Sequence, residues 1–196
     1  MGGVVEPKVF LLGETQTNQE GINQLLEHLG VPSWSSDAKS SAELLTEIYG
    51  RSCYRSFGTS LNPNVTRVRK TNSGYIDNTL QKGDGSIFEH VTANFFFADV
   101  SRVFTHELVR HRVGTAMSQE SLRYARLTDI NWYAPTVIKE DAATLQIYIA
   151  KMEELSKLQN ELADMFELDQ EGKSFAEKKE ATSAFRRLAP MGVATN

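Results

Sequence analysis

One stretch of this chain, residues 105–127, concentrates basic side chains around a run of small residues. It reads THELVRHRVGTAMSQESLRYARL. Its basic residues include Arg110, His111, Arg112, Arg123 and Arg126, and Gly114 lies in the small-residue run between them. Guanidinium groups present forked donors that match phosphate oxygens, and small residues let backbone N–H groups come close to a ligand. We therefore interpret the stretch as an anion-binding site.

Other interpretations of the stretch stay open at this point. Residues 118–121 are short and polar, of the kind that opens a helix, whose N-terminus would also attract an anion. Arginines on an amphipathic helix often form only a solvated face, where exposed ion pairs contribute little. A surface for a nucleic acid polymer is disfavoured, because a net charge of −4 and a pI near 5.6 supply no basic field.

Composition is typical of one globular domain with a sizeable core, since 40% of the 196 residues are hydrophobic. The single cysteine, Cys53, excludes an intramolecular disulfide and fits a reducing cytoplasm. We expect Cys53 to be buried as a small apolar residue. The sequence has neither a run of about 18 apolar residues nor a secretory leader pattern. It therefore predicts a cytoplasmic protein that does not span a membrane.

Hydrophobic periodicity predicts mixed secondary structure in which helices dominate. Strands are expected at residues 8–12, as a short buried strand, and at 91–97. Helices are expected at residues 19–29, 42–54, 73–80, 102 to about 111, 140–169, and from 174 onward. The loop between the second and third predicted helices contains Arg67, Arg69 and Lys70. These residues could contact a phosphate, but the pattern favours a solvated basic patch.

The histidines of the fourth predicted helix do not have metal-site spacing. His106 and His111 are five residues apart, so on a helix their side chains point about 140° apart. Zinc proteases of the H-E-x-x-H type need a spacing of four. We therefore predict no metal site.

The stretch resembles the signature of the flavin-dependent thymidylate synthases: Arg-His-Arg, seven residues, Ser, one residue, then Arg-Tyr. This chain has Arg110-His111-Arg112, eight residues, Ser121, and then Arg123-Tyr124, so it departs by one residue near Gly114. It also has Gln119 where members often have Glu, and Glu107 where relatives have Gln. The segment Phe88-Glu89-His90 before a strand is a second similarity.

The resemblance extends from about Ser52 to Gly192. The family's C-terminal part, with the arginine thought to ionise the uracil ring, would lie beyond Asn196, so no catalytic residue is assigned. We expect residues 1–196 to form a single domain without that part. The implied fold is α+β, with a central antiparallel sheet flanked by helices.

The implied reaction is the reductive methylation of deoxyuridine monophosphate (dUMP) to dTMP. Methylenetetrahydrofolate donates the carbon, and NADPH reduces FAD. The family also implies a homotetramer that shares its active sites between subunits.

The resemblance assigns two sets of residues, with Ser121 and Arg123 on the phosphate and Arg186 as a second nucleotide contact. The dUMP set is Glu107, Arg110, Gln119, Glu120, Ser121, Leu122, Arg123 and Arg186. The FAD set is Ser56, His90, Thr92, Arg110, His111, Arg112 and Gln119. Two alternatives are a non-catalytic remnant that binds nucleotide or flavin, and a helical interaction domain with solvated arginines.

Overall fold

The structure, a computed structural model, describes residues 2–125, 127 and 130–196. Arg126 of the basic stretch lies outside the described residues. The chain forms two compact units, one from the residues up to Phe10 together with Phe96–Asn196, the other from Leu11–Phe95. The single-domain organisation stays a prediction.

The architecture is α+β, as expected. The described helices are α1 Gln19–His28, α2 Ser41–Tyr54, α3 Asn72–Lys82, α4 Arg102–Leu108, α5 Thr136–Lys139, α6 Ala142–Met165 and α7 Phe175–Phe185. The described strands are β1 Lys8–Glu14, β2 Ala93–Ala98, β3 Val100–Ser101 and β4 Ala194–Thr195. Short 3-10 helices lie at Gly85–His90 and Arg186–Leu188.

The strands form two small sheets. β1 pairs with β2, and β3 pairs antiparallel with β4, with Val100 opposite Thr195. Each sheet has two strands in the described part of the chain, so a single central antiparallel sheet is not confirmed.

Short polar side chains fix where several helices begin. Asn18, Ser40, Thr71 and Ser101 each accept a hydrogen bond from a backbone N–H in the first turn of α1, α2, α3 and α4, respectively. Such caps satisfy donors that have no partner within the helix. At the start of α7, Ser174 exchanges hydrogen bonds with Glu177 in a capping box. These starts follow from local sequence, which explains why periodicity located the helices well.

In the Leu11–Phe95 unit, α1 and α2 pack through a small apolar core. Its buried members are Ile22, Leu26, Ile48 and Phe57. The ring of Trp34 meets Phe57 edge to face, with centroids 5.2 Å apart. Apolar burial of this kind is the main favourable term in folding.

A buried ion pair lies beside this core. Arg51 and Glu47, one turn apart on α2, approach to 2.6 Å, and both side chains are about 3% exposed. The Arg51 guanidinium also donates to the carbonyls of Ser56 (2.8 Å) and Arg69 (2.9 Å). Glu47 in turn accepts a bond from Asn72 at the start of α3. The pair therefore joins α2, α3 and the intervening loop.

This ion pair changes which face of α2 is buried. The buried residues of α2 are Thr46, Glu47, Ile48, Gly50 and Arg51, so its inner face is not the purely apolar stripe expected of an amphipathic helix. The prediction that Cys53 is buried is wrong, because Cys53 is exposed. Residue 53 lies five positions from Ile48, about 140° around the helix. Apolarity alone did not reveal that two charged residues form the inner face.

In the other unit, Trp132 is the centre of the largest core. Its backbone donates to Gly3 and accepts from Val5, and it also bridges to Val193. Ile130, Met152 and Val193 complete the buried cluster. A second cluster of Ala163, Leu168 and Phe185 joins α6 to α7. The two clusters place α7 and the C-terminal segment around α6.

Two predicted elements differ from the structure. The strand at residues 8–12 was expected to be buried, but Val9, Phe10, Leu11 and Leu12 are between 48% and 69% exposed. β1 pairs with one strand, and a two-stranded sheet cannot bury its own faces. The long helix expected from residue 140 begins instead at Ala142, because Asp141 caps it by accepting from the N–H of Thr144.

None of the described helices combines the length and apolar character that crossing a lipid bilayer requires.

The Arg51 network predicts a large stability difference between two ion pairs. Arg51→Met leaves the buried Glu47 carboxylate without its cation, so we expect the free energy of unfolding to fall by about 3–5 kcal/mol. Glu154→Ala removes the exposed Lys151–Glu154 pair, and it should cost less than about 1 kcal/mol. Urea unfolding followed by circular dichroism measures both values, and similar small losses would contradict the role assigned to Arg51.

Candidate functional site

The Arg-His-Arg segment lies in a turn, not on a helix. The helix expected to reach His111 ends at Leu108. Beyond it, the N–H groups of Arg110 and His111 donate to the carbonyls of Glu107 and Leu108, three residues back. Gly114 then takes a positive φ of 71°, which turns the chain at little cost. A tight last turn and a glycine reversal therefore replace the final turn of the predicted helix.

The side chains of this turn are unused within the described structure. Arg110, His111 and Arg112 are exposed, and their side chains make no hydrogen bond, ion pair or ring contact with another described residue. Glu107, on the last turn of α4, is also exposed and without a side-chain partner in the described part of the chain. Two guanidinium groups, one imidazole and the carboxylate of Glu107 are therefore available to bind a ligand.

The segment after the turn is held by long-range contacts. Gln119 donates to the hydroxyl of Thr105 on α4 (2.8 Å). The backbone N–H of Glu120 donates to the carbonyl of Asn196 (3.0 Å), and its carbonyl accepts from Arg102 (2.8 Å). The site segment is therefore attached both to α4 and to residues beside β4.

The prediction that residues 118–121 open a helix is wrong, because these residues have no regular secondary structure and a turn follows at residues 122–124. The backbone groups of Glu120 are bonded to Asn196 and Arg102, so they cannot serve an intrahelical ladder. Ser121 instead starts a turn: its carbonyl accepts from Tyr124 and Ala125, and its hydroxyl accepts from the N–H of Arg123.

Arg102 is the most constrained charge near this segment. Its guanidinium also bonds to the Thr195 hydroxyl, while its Nε is buried without a hydrogen-bond partner in the described structure. Burial, with a smaller contribution from the charge of Arg186, lowers the pKa of Arg102, and Glu120 opposes the shift. Arg102 acts as a structural clamp for the Glu120 backbone.

Arg123 lies in a cleft that we call the basic cleft, of about 540 Å³. The residues of α7 on its wall include Lys179, Glu180 and Ser183, and Arg187 follows in the adjoining 3-10 helix. Three cations thus meet one carboxylate, Glu180, among the described lining residues. Such an excess of positive charge favours a phosphate or another dianion.

Tyr124 lies beside the basic cleft and reports its charge. Its ring stacks on Phe175, with centroids 6.1 Å apart, and Lys179 Nζ lies 4.7 Å from the Tyr124 centroid. Lys179, as a hydrogen-bond donor and as a positive charge, lowers the pKa of Tyr124. Tyr148 shows the opposite shift: burial disfavours its charged phenolate form and raises its pKa.

The structure therefore brings together only part of the nucleotide set. Leu122 and Arg186 line one narrow crevice against Phe185, whereas Arg123 lines the basic cleft with Arg187 and Lys179. The sequence analysis did not assign Lys179 or Arg187 to a site. Their spacing carried a signal, because residues 179, 183 and 187 follow each other at intervals of four along one helical face.

The remaining flavin-set residues lie in the Leu11–Phe95 unit. His90 stacks on Tyr49, with centroids 3.8 Å apart. Thr92 is hydrogen bonded through its backbone and hydroxyl to Thr15. Ser56 is half-buried at the end of α2, and its carbonyl accepts from Arg51. His90 and Thr92 are both exposed, and His90 makes no side-chain hydrogen bond to another described residue.

No group of three or more His, Cys, Asp or Glu side chains suited to a metal ion occurs among residues 2–125, 127 and 130–196.

The environment of Tyr124 gives a direct check of the basic cleft. The neighbouring ammonium stabilises the phenolate, so Tyr124 should titrate below the usual value of about 10. Lys179→Met should raise the pKa of Tyr124, whereas Lys178→Met, at the next position of α7, should leave it unchanged. The pH dependence of the tyrosine NMR signals, assigned with Tyr124→Phe, measures this shift. Identical titration curves in the two lysine variants would show that Lys179 does not face Tyr124.

Comparisons with known proteins place this chain among similar sequences. The family model described as thymidylate synthase complementing protein matches residues 36–196. The flavin-dependent thymidylate synthase of Corynebacterium glutamicum is 33% identical over 159 residues, which cover 80% of this chain and 61% of that protein. The protein of the same name from Mycolicibacterium gilvum is 34% identical over 164 residues, covering 83% of this chain and 63% of its own length.

These matches confirm the resemblance to the flavin-dependent thymidylate synthases that the Arg-His-Arg and Arg-Tyr segments indicated. The chain spans a little over three-fifths of the length of the curated relatives it matches. Since the family model covers residues 36–196, the chain belongs to the family of the thymidylate synthase complementing proteins and flavin-dependent thymidylate synthases.

Proposed function

We propose that the protein takes part in the reductive methylation of dUMP to dTMP, with methylenetetrahydrofolate as carbon donor and NADPH as reductant. Family membership supports this reaction, and so does the name shared by the relatives above. The observation that carries the proposal is the basic cleft. It gathers Arg123 of the signature with Lys179 and Arg187, which do not belong to the signature.

The basic cleft fits the phosphate of a nucleotide better than it fits a neutral ligand. Guanidinium and ammonium groups form charge-assisted hydrogen bonds with phosphate oxygens, and these are stronger than neutral ones. Arg123 makes no side-chain hydrogen bond to another described residue, so its donors remain available. In this proposal the cleft holds the nucleotide by its phosphate, which orients the uracil ring for reaction.

The Arg-His-Arg turn fits the flavin. Its guanidinium and imidazole groups are exposed and unused within the described residues, and they match the phosphate and carbonyl acceptors of FAD. FAD held there would, when reduced, supply the hydride needed for the new methyl group. The residues of the turn bind and orient the cofactor. Arg110 and Gln119 are assigned to both ligands, and the Gln119 side chain donates a hydrogen bond to the Thr105 hydroxyl.

A homotetramer with shared sites forms part of the proposal. The side chains of Val9 to Leu12 on β1, and of Phe95 and Phe96 on β2, are large, apolar and between 42% and 69% exposed. Exposed large apolar side chains in such number are typical of protein–protein contacts. A second copy of the chain would bury it, and in this family the subunits complete each other's sites. We place the assembly in the cytoplasm.

Release of the C5 hydrogen of dUMP tests the reaction. Methylation at C5 replaces that hydrogen, so the chain, given C5-tritiated dUMP, FAD, NADPH and methylenetetrahydrofolate, should release tritium into water. Omission of FAD or of the folate should abolish the release. Saturable binding of dUMP and FAD without any tritium release would instead indicate a non-catalytic nucleotide- and flavin-binding protein.

The division of roles between Arg123 and Arg112 gives a crossed prediction. Arg123→Ala should weaken dUMP binding about tenfold or more, because a charge-assisted hydrogen bond contributes roughly 1.5–3 kcal/mol, and it should leave FAD binding within about twofold. Arg112→Ala should do the reverse. Calorimetric titration with each ligand measures both constants. Equal losses of the two ligands in Arg123→Ala, or no loss, would overturn this division.

A further inference from the structure

The basic loop between α2 and α3 borders a cavity, although its sequence suggested only a solvated patch. The cavity has a volume of about 240 Å³ and lies within the Leu11–Phe95 unit. Its walls are the end of α2, residues 64–69 and the outer turns of α3. Since a water molecule takes up about 30 Å³ in the liquid, the space admits a ligand of several heavy atoms.

Positive charge dominates the lining of this cavity. Arg67, Arg69 and Lys82 face Asp84, the one carboxylate among the described lining residues. A fourth cation, Arg51, also lines it, but its charge is matched by Glu47 at 2.6 Å. Asp84 already accepts a hydrogen bond from the Tyr54 hydroxyl at 3.0 Å. Three cations therefore face one carboxylate that is partly engaged.

The walls are held in place before any ligand binds. Arg51 donates to the carbonyls of Ser56 and Arg69, which fixes the two ends of the loop that forms one wall. Arg69 is half-buried, and its guanidinium donates to Asn78 on α3 at 2.7 Å. Preorganised donors cost a ligand less ordering free energy than mobile surface side chains do.

Arg67 is the group without an internal role. It is exposed, and its guanidinium makes no hydrogen bond or ion pair with any described residue. Its donors therefore remain free beside Arg69 and Lys82. From this geometry we infer that the cavity between α2, residues 64–69 and α3 binds the diphosphate group of a small molecule. That ligand is a phosphorylated molecule other than the flavin, because the phosphate donors assigned to FAD are those of the Arg-His-Arg turn.

Pyrophosphate is the probe that tests the site. Calorimetric titrations use the whole chain carrying Arg123→Ala, which removes one of the three cations of the basic cleft and weakens binding there. Pyrophosphate should bind saturably to this protein, and adding Arg67→Gln should weaken binding about tenfold. Adding Lys70→Gln, which removes a neighbouring exposed charge outside the cavity lining, should weaken it no more than about twofold. Arg67 is exposed and unbonded, so its replacement leaves the Arg51 network intact.

Two results would overturn the inference. One is the absence of saturable pyrophosphate binding. The other is an equal loss from Arg67→Gln and Lys70→Gln, which would indicate only a general attraction to a basic surface. Because the experiment does not involve dUMP or turnover, it fails or succeeds independently of the proposed methylation.

Competition with FAD tests whether the ligand is separate from the flavin. FAD and pyrophosphate should bind together, and Arg67→Gln should leave the FAD dissociation constant unchanged. Displacement of FAD by pyrophosphate, or weaker FAD binding in Arg67→Gln, would overturn the assignment to a separate ligand.

Discussion

The buried guanidinium of Arg51 is the interaction on which the Leu11–Phe95 unit depends. One side chain neutralises Glu47 and holds two loop carbonyls, and it lies 4.8 Å and 5.6 Å from the ring centroids of Tyr75 and Trp34. A buried charge is tolerated only when such partners replace water. The same bonds fix Ser56 and Arg69, so a requirement of folding also shapes the wall of a cavity.

The stretch of residues 105–127 in the other unit differs from Arg51, because its basic side chains are not used to hold the fold together. It is held by distant partners, since the Gln119 side chain bonds to Thr105 and the Glu120 backbone bonds to Arg102 and Asn196. The basic side chains of its first turn, in contrast, make no hydrogen bond or ion pair with the described residues. A segment without regular structure can present donors at angles that a helix face would not allow. The chain thus uses backbone contacts for position and side chains for recognition, which is why function in such sites often lies on loops.

Local signals predicted much of the fold. Capping residues such as Ser40 and Ser174, together with apolar periodicity, located the main helices, and the signature residues identified the family. What failed depended on distant partners. The Glu47–Arg51 pair turned α2 so that Cys53 faces outward, and contacts from Asn196 and Arg102 prevented a helix at residues 118–121. Likewise, no local pattern showed that Arg123 would meet Lys179 and Arg187, because that meeting depends on how the segment of Arg123 and Tyr124 lies against α7.

The roles assigned to the basic residues require that one protein binds both a flavin and a pyrimidine nucleotide, and that the two ligands influence each other. A titration of the chain with FAD, followed by flavin fluorescence with and without dUMP, measures this coupling. We expect saturable quenching whose amplitude or midpoint changes when dUMP is present, since the same Arg110 is assigned to both ligands. Quenching that dUMP leaves unaltered, or no saturable quenching, would show that the two sites are not coupled as proposed.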